Sequence, residues 1–178
     1  MSQLIDVFDK SFNKVAMPGK FVDATLPVGF APFGIQAIGS KLLVTYAKQD
    51  AALHDNLDGP GLGFGVFDTA GNFVQRFASA GPLNAPWGVS QAPNNFGPLS
   101  GDILVGNFGD GTINAFDPTS GLFVGTVKMP NGAPFVQAGL WGIAFGNGLD
   151  SQPVNTLFYA AGPNDEADGV NGRLDVKM

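Results

Sequence analysis

The sequence predicts an all-β fold made of β-propeller blades, and three observations predict it. Glycine, proline and phenylalanine are abundant, a hairpin signature recurs, and an aromatic–Gly–aliphatic triplet returns at a constant interval. The 178 residues include 26 glycines, 13 prolines and 16 phenylalanines. Glycine and proline break helices and set turns, while phenylalanine fills half-buried pleated surfaces. Such a mixture favours many short strands joined by tight connections. With 44% hydrophobic and 13% charged residues the chain is globular, and it is long enough for one domain with a sizeable core.

The hairpin signature reads IDVFDKSFNKV over 5–15, FGVFDTAGNFV over 64–74 and INAFDPTSGLFV over 113–124. Each copy is an alternating apolar run ending in Phe-Asp, then a polar turn, then a second apolar run, as a β-hairpin requires. Asp9, Asp68 and Asp117 sit where an Asx-type bond to the following backbone N–H groups fixes the turn.

The triplet opens a second element that alternates with the first, beginning at Phe33-Gly34-Ile35, Trp87-Gly88-Val89 and Trp141-Gly142-Ile143. After each comes a Gly/Asn/Pro-rich connection and another strand, at Lys41–Tyr46, Asp102–Asn107 and Thr156–Ala161. The triplet glycines fall 54 residues apart both times. One period thus carries four strands in about 50–60 residues, the spacing of a propeller blade. Glycine after the aromatic suits the innermost strand, where backbones converge. The copies span approximately 5–47, 64–108 and 113–162, with 169–178 starting a further copy, and residues 1–178 form a single propeller segment.

With the strands of a blade named a to d from the axis outwards, the chain is expected to run c–d, two whole blades, then a–b and part of c. Closed propellers typically have four to eight blades. Three blades' worth of strands therefore predicts half of a six-bladed ring. Two readings remain: a homodimer in which each N-terminal c–d hairpin completes the other chain's last blade, or a chain lacking the missing blades of a longer protein. The dimer is favoured, because an open arc leaves bare strand edges.

The stretch LNAPWGVSQAPNNFGPLSGDILVGNFGDGTINAFDPTSG, with GLWGIAFGNG and FYAAGPNDEADGVNGRLD, resembles a bacterial family of conserved hypothetical proteins. Its members are predicted six-bladed propellers, often exported and sometimes carrying a sorting signal of the PEP-CTERM kind. The resemblance runs from about Ile5 to Leu174 and is to the C-terminal half of such a protein, whose members are about twice this length. It implies a propeller fold and carries over no assignment of catalytic residues. More loosely, the blades are similar to NHL-type and gluconolactonase-like repeats.

Charge and composition narrow the function. A net charge of −6 without a basic cluster disfavours nucleic acid and anionic membrane surfaces. No cysteine is present, which excludes disulfides, zinc–thiolate sites and thiol catalysis. No stretch approaches the ~20 apolar residues of a membrane span, so a soluble chain without membrane insertion is expected. No signal peptide is visible, and localisation stays open, although the resembled proteins are often exported.

The loops from strand b to strand c share one face of a propeller, where function collects. Here they are KQDAALHDNLDGPGLG (48–63), GNFGDG (106–111) and AGPNDEADG (161–169). Asp110, Asn164, Asp165, Glu166 and Asp168 are candidate ligands for Ca²⁺ or another hard cation. Asp50, His54, Asp55, Asp58 and Asn107 are further loop candidates. Tight turns use the same residue types without any metal. His54 is the sole histidine and lies beside Asp55 as a candidate general base, yet a lone loop histidine is more often solvated. With one histidine and no cysteine, nucleophilic triads have little to work with. GPGLGFG (59–65) has no Walker lysine and opens a strand, so it does not read as a phosphate cradle. The reading favoured is a non-enzymatic binding or scaffold propeller meeting a protein or glycan. The alternative is a metal-dependent, lactonase-like hydrolase with its site at the channel mouth.

Overall fold

The computed structural model describes residues 5–52, 62–78 and 81–176. Among them lie thirteen strands in four antiparallel sheets, one 3-10 turn at Gly97–Leu99 and no α-helix. Strands β1 (Val7–Phe8) and β2 (Lys14–Val15) form a hairpin. The first full sheet is a meander of β3 (Phe30–Ile38), β4 (Lys41–Lys48), β5 (Phe64–Asp68) and β6 (Phe73–Phe77). The second repeats it with β7 (Pro86–Gln91), β8 (Ile103–Asn107), β9 (Ile113–Phe116) and β10 (Phe123–Thr126). The last holds β11 (Leu140–Phe145), β12 (Thr156–Ala161) and β13 (Val170–Asp175). The expected hairpins are therefore β1–β2, β5–β6 and β9–β10, and the triplets open β3, β7 and β11. One detail differs. β13 is a complete third strand, paired with β12 from Val170↔Ala161 to Asp175↔Thr156, where the residue pattern predicts only part of one.

The hairpin aspartates act as turn clamps. The N–H groups of Ser11 and Asn13 donate to Asp9 Oδ1 at 2.8 and 2.9 Å. Those of Ala70 and Asn72 reach Asp68 Oδ1 at 2.9 and 2.8 Å, and those of Thr119 and Ser120 reach Asp117 Oδ1 at 3.0 and 2.6 Å. These bonds favour the charged carboxylate and hold all three groups below the ordinary aspartate pKa.

The sheets stack face to face through period-2 alternation. On β4, Leu43 points to the second sheet, where with Phe64 and Val66 it packs against Val89, Ile103, Val105 and Phe116. From β8 and β9, Leu104, Ile113 and Ala115 point the other way, to Leu140, Ile143 and Leu157 of the last sheet. Each such fully buried side chain contributes about 1.5–3 kcal/mol. The opposite face of the first sheet, Val44, Tyr46 and Phe67, is roofed by the segment leading into β3, through Phe21 and Leu26.

That roof is held by an ion pair. Arg76 Nη2 on β6 lies 2.6 Å from Asp23 Oδ2, and the Asp23 side chain is 1% exposed. Asp23 Oδ1 accepts from the Thr25 N–H and hydroxyl at 2.9 and 2.7 Å. The guanidinium carbon of Arg76 sits 5.3 Å from the Tyr46 ring centre. Burial, with the Asp23 charge nearby, raises the Tyr46 pKa and keeps its phenol neutral.

Neighbouring sheets approach most closely at the triplets. Each of β3, β7 and β11 carries an irregularity at its aromatic residue, between Pro32 and Gly34, Pro86 and Val89, and Leu140 and Ile143. A Cβ added at Gly34 would lie 2.5 Å from the carbonyl oxygen of Trp87, and one at Gly88 2.6 Å from that of Trp141. The glycines are there because no side chain fits between the converging strands.

Candidate functional site

The aromatic residues of the triplets gather at one end of the sheets. Phe33 and Trp87 have ring centres 4.7 Å apart, Trp87 and Phe108 6.2 Å, and Trp87 and Trp141 6.3 Å. Phe33, Trp87 and Phe108 line a cleft of about 880 Å³. Its rim is built by the loop after β8, with Asp110, and by the loop after β12, with Asn164, Asp165 and Glu166. A concave site with an aromatic floor and a few polar groups is the usual form of a ligand pocket. Among the described residues no lysine or arginine lines it.

Glycines bring the loop backbones together at the rim. Gly111 (φ +72°) and Gly139 (φ +64°) take left-handed conformations, and a Cβ on either would collide with the backbone, of Gln137 and of Gly162 respectively. The Gln137 N–H donates to the Gly111 carbonyl at 2.9 Å, and the Gly162 N–H to the Gly139 carbonyl at 2.9 Å. A Cβ at Gly162 would also meet the Trp141 ring at 2.7 Å. The indole Nε1 of Trp141 is shielded from solvent and has no hydrogen-bond partner among the described residues.

The sequence candidates divide by position. Asp110, Asn164, Asp165 and Glu166 converge on the cleft from two sheets. Asp168 stands apart from the lining and accepts from Asn164 Nδ2 at 2.6 Å. Asp110 Oδ1 accepts from the Thr112 N–H and hydroxyl at 2.9 and 2.7 Å, which is turn chemistry. Asn107 is wholly buried, and its Nδ2 donates to the Pro82 carbonyl at 2.7 Å and to Thr112 Oγ1 at 3.1 Å. It braces the loop and leaves its amide hydrogens no capacity for a ligand. Asp50 clamps its own turn through the Ala52 N–H at 2.8 Å. His54, Asp55 and Asp58 lie outside the described residues. Among the described residues no three His, Asp or Glu side chains come together as a metal site.

The rim has an unusual backbone. Asn164, Asp165 and Glu166 all have positive φ, at 56°, 51° and 65°. Left-handed backbone costs roughly 1–2 kcal/mol per non-glycine residue, and asparagine and aspartate tolerate it better than glutamate. Phe108 and the apolar wall at Val136 and Ala138 are cleft residues that sequence reasoning missed. Phe108 had a readable signal, since it directly follows the b strand in the same loop as Asp110.

An all-β chain whose sheet ends enclose an aromatic-floored, acid-rimmed cleft is the class of protein that fold and site define. No family model matches the chain. Among curated proteins it is 38% identical over 177 residues to uncharacterized protein L690 of Acanthamoeba polyphaga mimivirus, covering 96% of this chain and 46% of the relative. It is 36% identical over 176 residues to uncharacterized protein R648 of the same virus, covering 96% and 42%. The chain thus spans less than half the length of these relatives. Among solved structures it is similar to a protein of unknown function from Bacteroides caccae, with a TM-score of 0.52, 13% identity, and coverage of 93% of this chain and 52% of the other. That likeness is one of fold. No helix of the described residues is long and apolar enough to cross a membrane.

Proposed function

We propose that this chain is a non-enzymatic binding module, about half of a six-bladed propeller, that takes a glycan in the cleft between its loops. The cleft carries the reading: three aromatic rings offer apolar faces, and Asp110, Asp165 and Glu166 offer acceptors at the rim, with no basic residue in the lining among the described residues. Aromatic faces pack against the C–H surfaces of a sugar ring, and carboxylates accept from its hydroxyls in charge-assisted bonds. Anionic ligands are repelled by the same rim. Ring completion by self-association belongs to this reading, because the three large sheets stack in one direction through the same contacts at Gly34 and Gly88. The resemblance to the bacterial propeller family fits it.

Trp87 lines the cleft, and the ring of Trp141, the other tryptophan of the chain, lies 6.3 Å from that of Trp87, so intrinsic fluorescence reports occupancy. Titration with neutral oligosaccharides is expected to give a saturable change that Asp165→Asn weakens about tenfold, the effect of losing one hydrogen bond to a charged group. Equal responses of wild type and variant, or no response to any neutral sugar, would contradict the reading. The metal-dependent hydrolase needs inward-pointing ligands from several sheets, and no observation on the described residues favours it over the binding module.

A further inference from the structure

The three triplets make one contact twice and leave it unmade once. Gly34 receives the Trp87 backbone from the next sheet, and Gly88 receives that of Trp141. Among the described residues Gly142 receives nothing: it is exposed, and a Cβ added there would meet no described atom within 4 Å. The residues around it repeat the pattern. On β12, Phe158 and Ala160 hold the register positions of Leu43 and Thr45 on β4 and of Leu104 and Gly106 on β8. Leu43 and Leu104 are buried against the following sheet, whereas Phe158 is only partly buried.

The other end of the stack shows the converse. Ile35, Val89 and Ile143 are the aliphatic members of the three triplets. Val89 and Ile143 are 3% and 6% exposed, because each packs into the sheet before it, while Ile35 is 54% exposed. The roofing segment covers the first sheet through Tyr46 and Phe67 and leaves the β3 side of that face open. An unfilled socket at one end thus matches an uninserted plug at the other.

We propose that the socket of Gly142, Phe158 and Ala160 is filled by strand β3 of a second copy, with Ile35 and the Phe33 backbone of that copy seated as Ile143 and Trp141 are on Gly88. The proposal rests on the ring-completing part of the reading above and gives it its surfaces. It continues an interface that the chain builds twice within itself, so the occupant needs no new chemistry. Two such head-to-tail contacts close a pair of chains about a two-fold axis. On β13 the outward residues Asn171 and Arg173 are exposed and polar, so the contact belongs to the inner strands. The hairpin β1–β2 of each copy then lies beside β13 of the other.

Sedimentation velocity at micromolar concentration tests this with two variants that spare the single chain. Gly142→Trp points into open space, and Ile35→Asp alters an exposed side chain. Unchanged circular dichroism spectra, with urea midpoints matched to wild type diluted to the single chain, certify both folds. The wild type is expected to run as a two-chain particle and each variant as a single chain, with association weakened about tenfold or more. An equimolar mixture of the two variants is expected to recover two-chain particles, since the free socket of one meets the intact β3 of the other. A wild type that stays single overturns both this proposal and the ring. A two-chain wild type whose mass neither variant changes overturns the socket and leaves self-association standing.

Discussion

The carbonyl oxygen of Trp141 lies 2.6 Å from the point where Gly88 would carry a Cβ. That distance leaves no room for a methyl group, and the nearby atoms are backbone and cannot swing aside. Gly88→Ala is therefore expected to cost about 1–3 kcal/mol, the usual range for overpacking a filled interior. In the single chain Gly142→Ala, at the same place in the repeat, is expected to stay within about 0.5 kcal/mol, so the comparison is made at a dilution where copies do not pair. Urea unfolding of the pair checks it. Equal effects at both sites would mean that the sheets do not stack through their triplets.

The Asp23–Arg76 pair holds the roof over the first sheet. Removing the guanidinium leaves a 1% exposed carboxylate without its partner, which typically costs about 3–5 kcal/mol. Arg76→Ala is expected to fall in that range, and Asp23→Asn/Arg76→Met to recover part of the loss. An Arg76→Ala midpoint within error of wild type would show that the roof is held by its apolar residues alone.

Acid should act through the hairpin clamps. Asp9, Asp68 and Asp117 are held below the ordinary aspartate pKa in the folded state, chiefly by backbone and side-chain bonds from the turn residues Asn13, Asn72 and Ser120. The unfolded chain therefore binds protons first as pH falls past about 4. Their contribution to stability is present above that value and is lost as pH drops through the folded pKa values. Urea midpoints measured from pH 7 to pH 3 should decline below about pH 4.5, and the triple Asp→Asn variant should decline less steeply. Parallel pH profiles would contradict the assignment.

These clamps were legible because spacing alone exposes them: Phe-Asp, a turn and a second strand recur three times. The triplet glycines were legible for the same reason, at 54 residues apart. What the pattern did not carry is direction. Asp110, Asn164, Asp165 and Glu166 read as one acidic loop set, yet whether they face a cleft depends on backbone that turns left-handed at 164–166, and no residue type announces that. Asn107, a loop candidate, is buried and its amide nitrogen bonds the Pro82 carbonyl 25 residues away, a partner that no local pattern announces. Asp23 and Arg76 lie 53 positions apart with no periodicity linking them. The full length of β13 was missed because Asn171, Arg173 and Asp175 give its outer face a polar pattern unlike that of β5 and β9.

The left-handed rim gives a separate expectation. Glutamate gains nothing locally from φ +65°, whereas glycine adopts it freely. Glu166→Gly is expected to raise stability by about 0.5–1 kcal/mol while weakening sugar binding through the lost acceptor. Stability and affinity moving in opposite directions would mark strain kept for the site. A destabilised variant would show that the Glu166 side chain serves the fold.

Native mass spectrometry of the unmodified chain tests the central claim, that these sheets are half of a ring, most directly. At micromolar concentration one dominant species is expected at twice the 18.4 kDa chain mass, with no ladder above it, because the head-to-tail contact closes after two copies. A chain that remains at its single mass, or an open-ended series of oligomers, would contradict it.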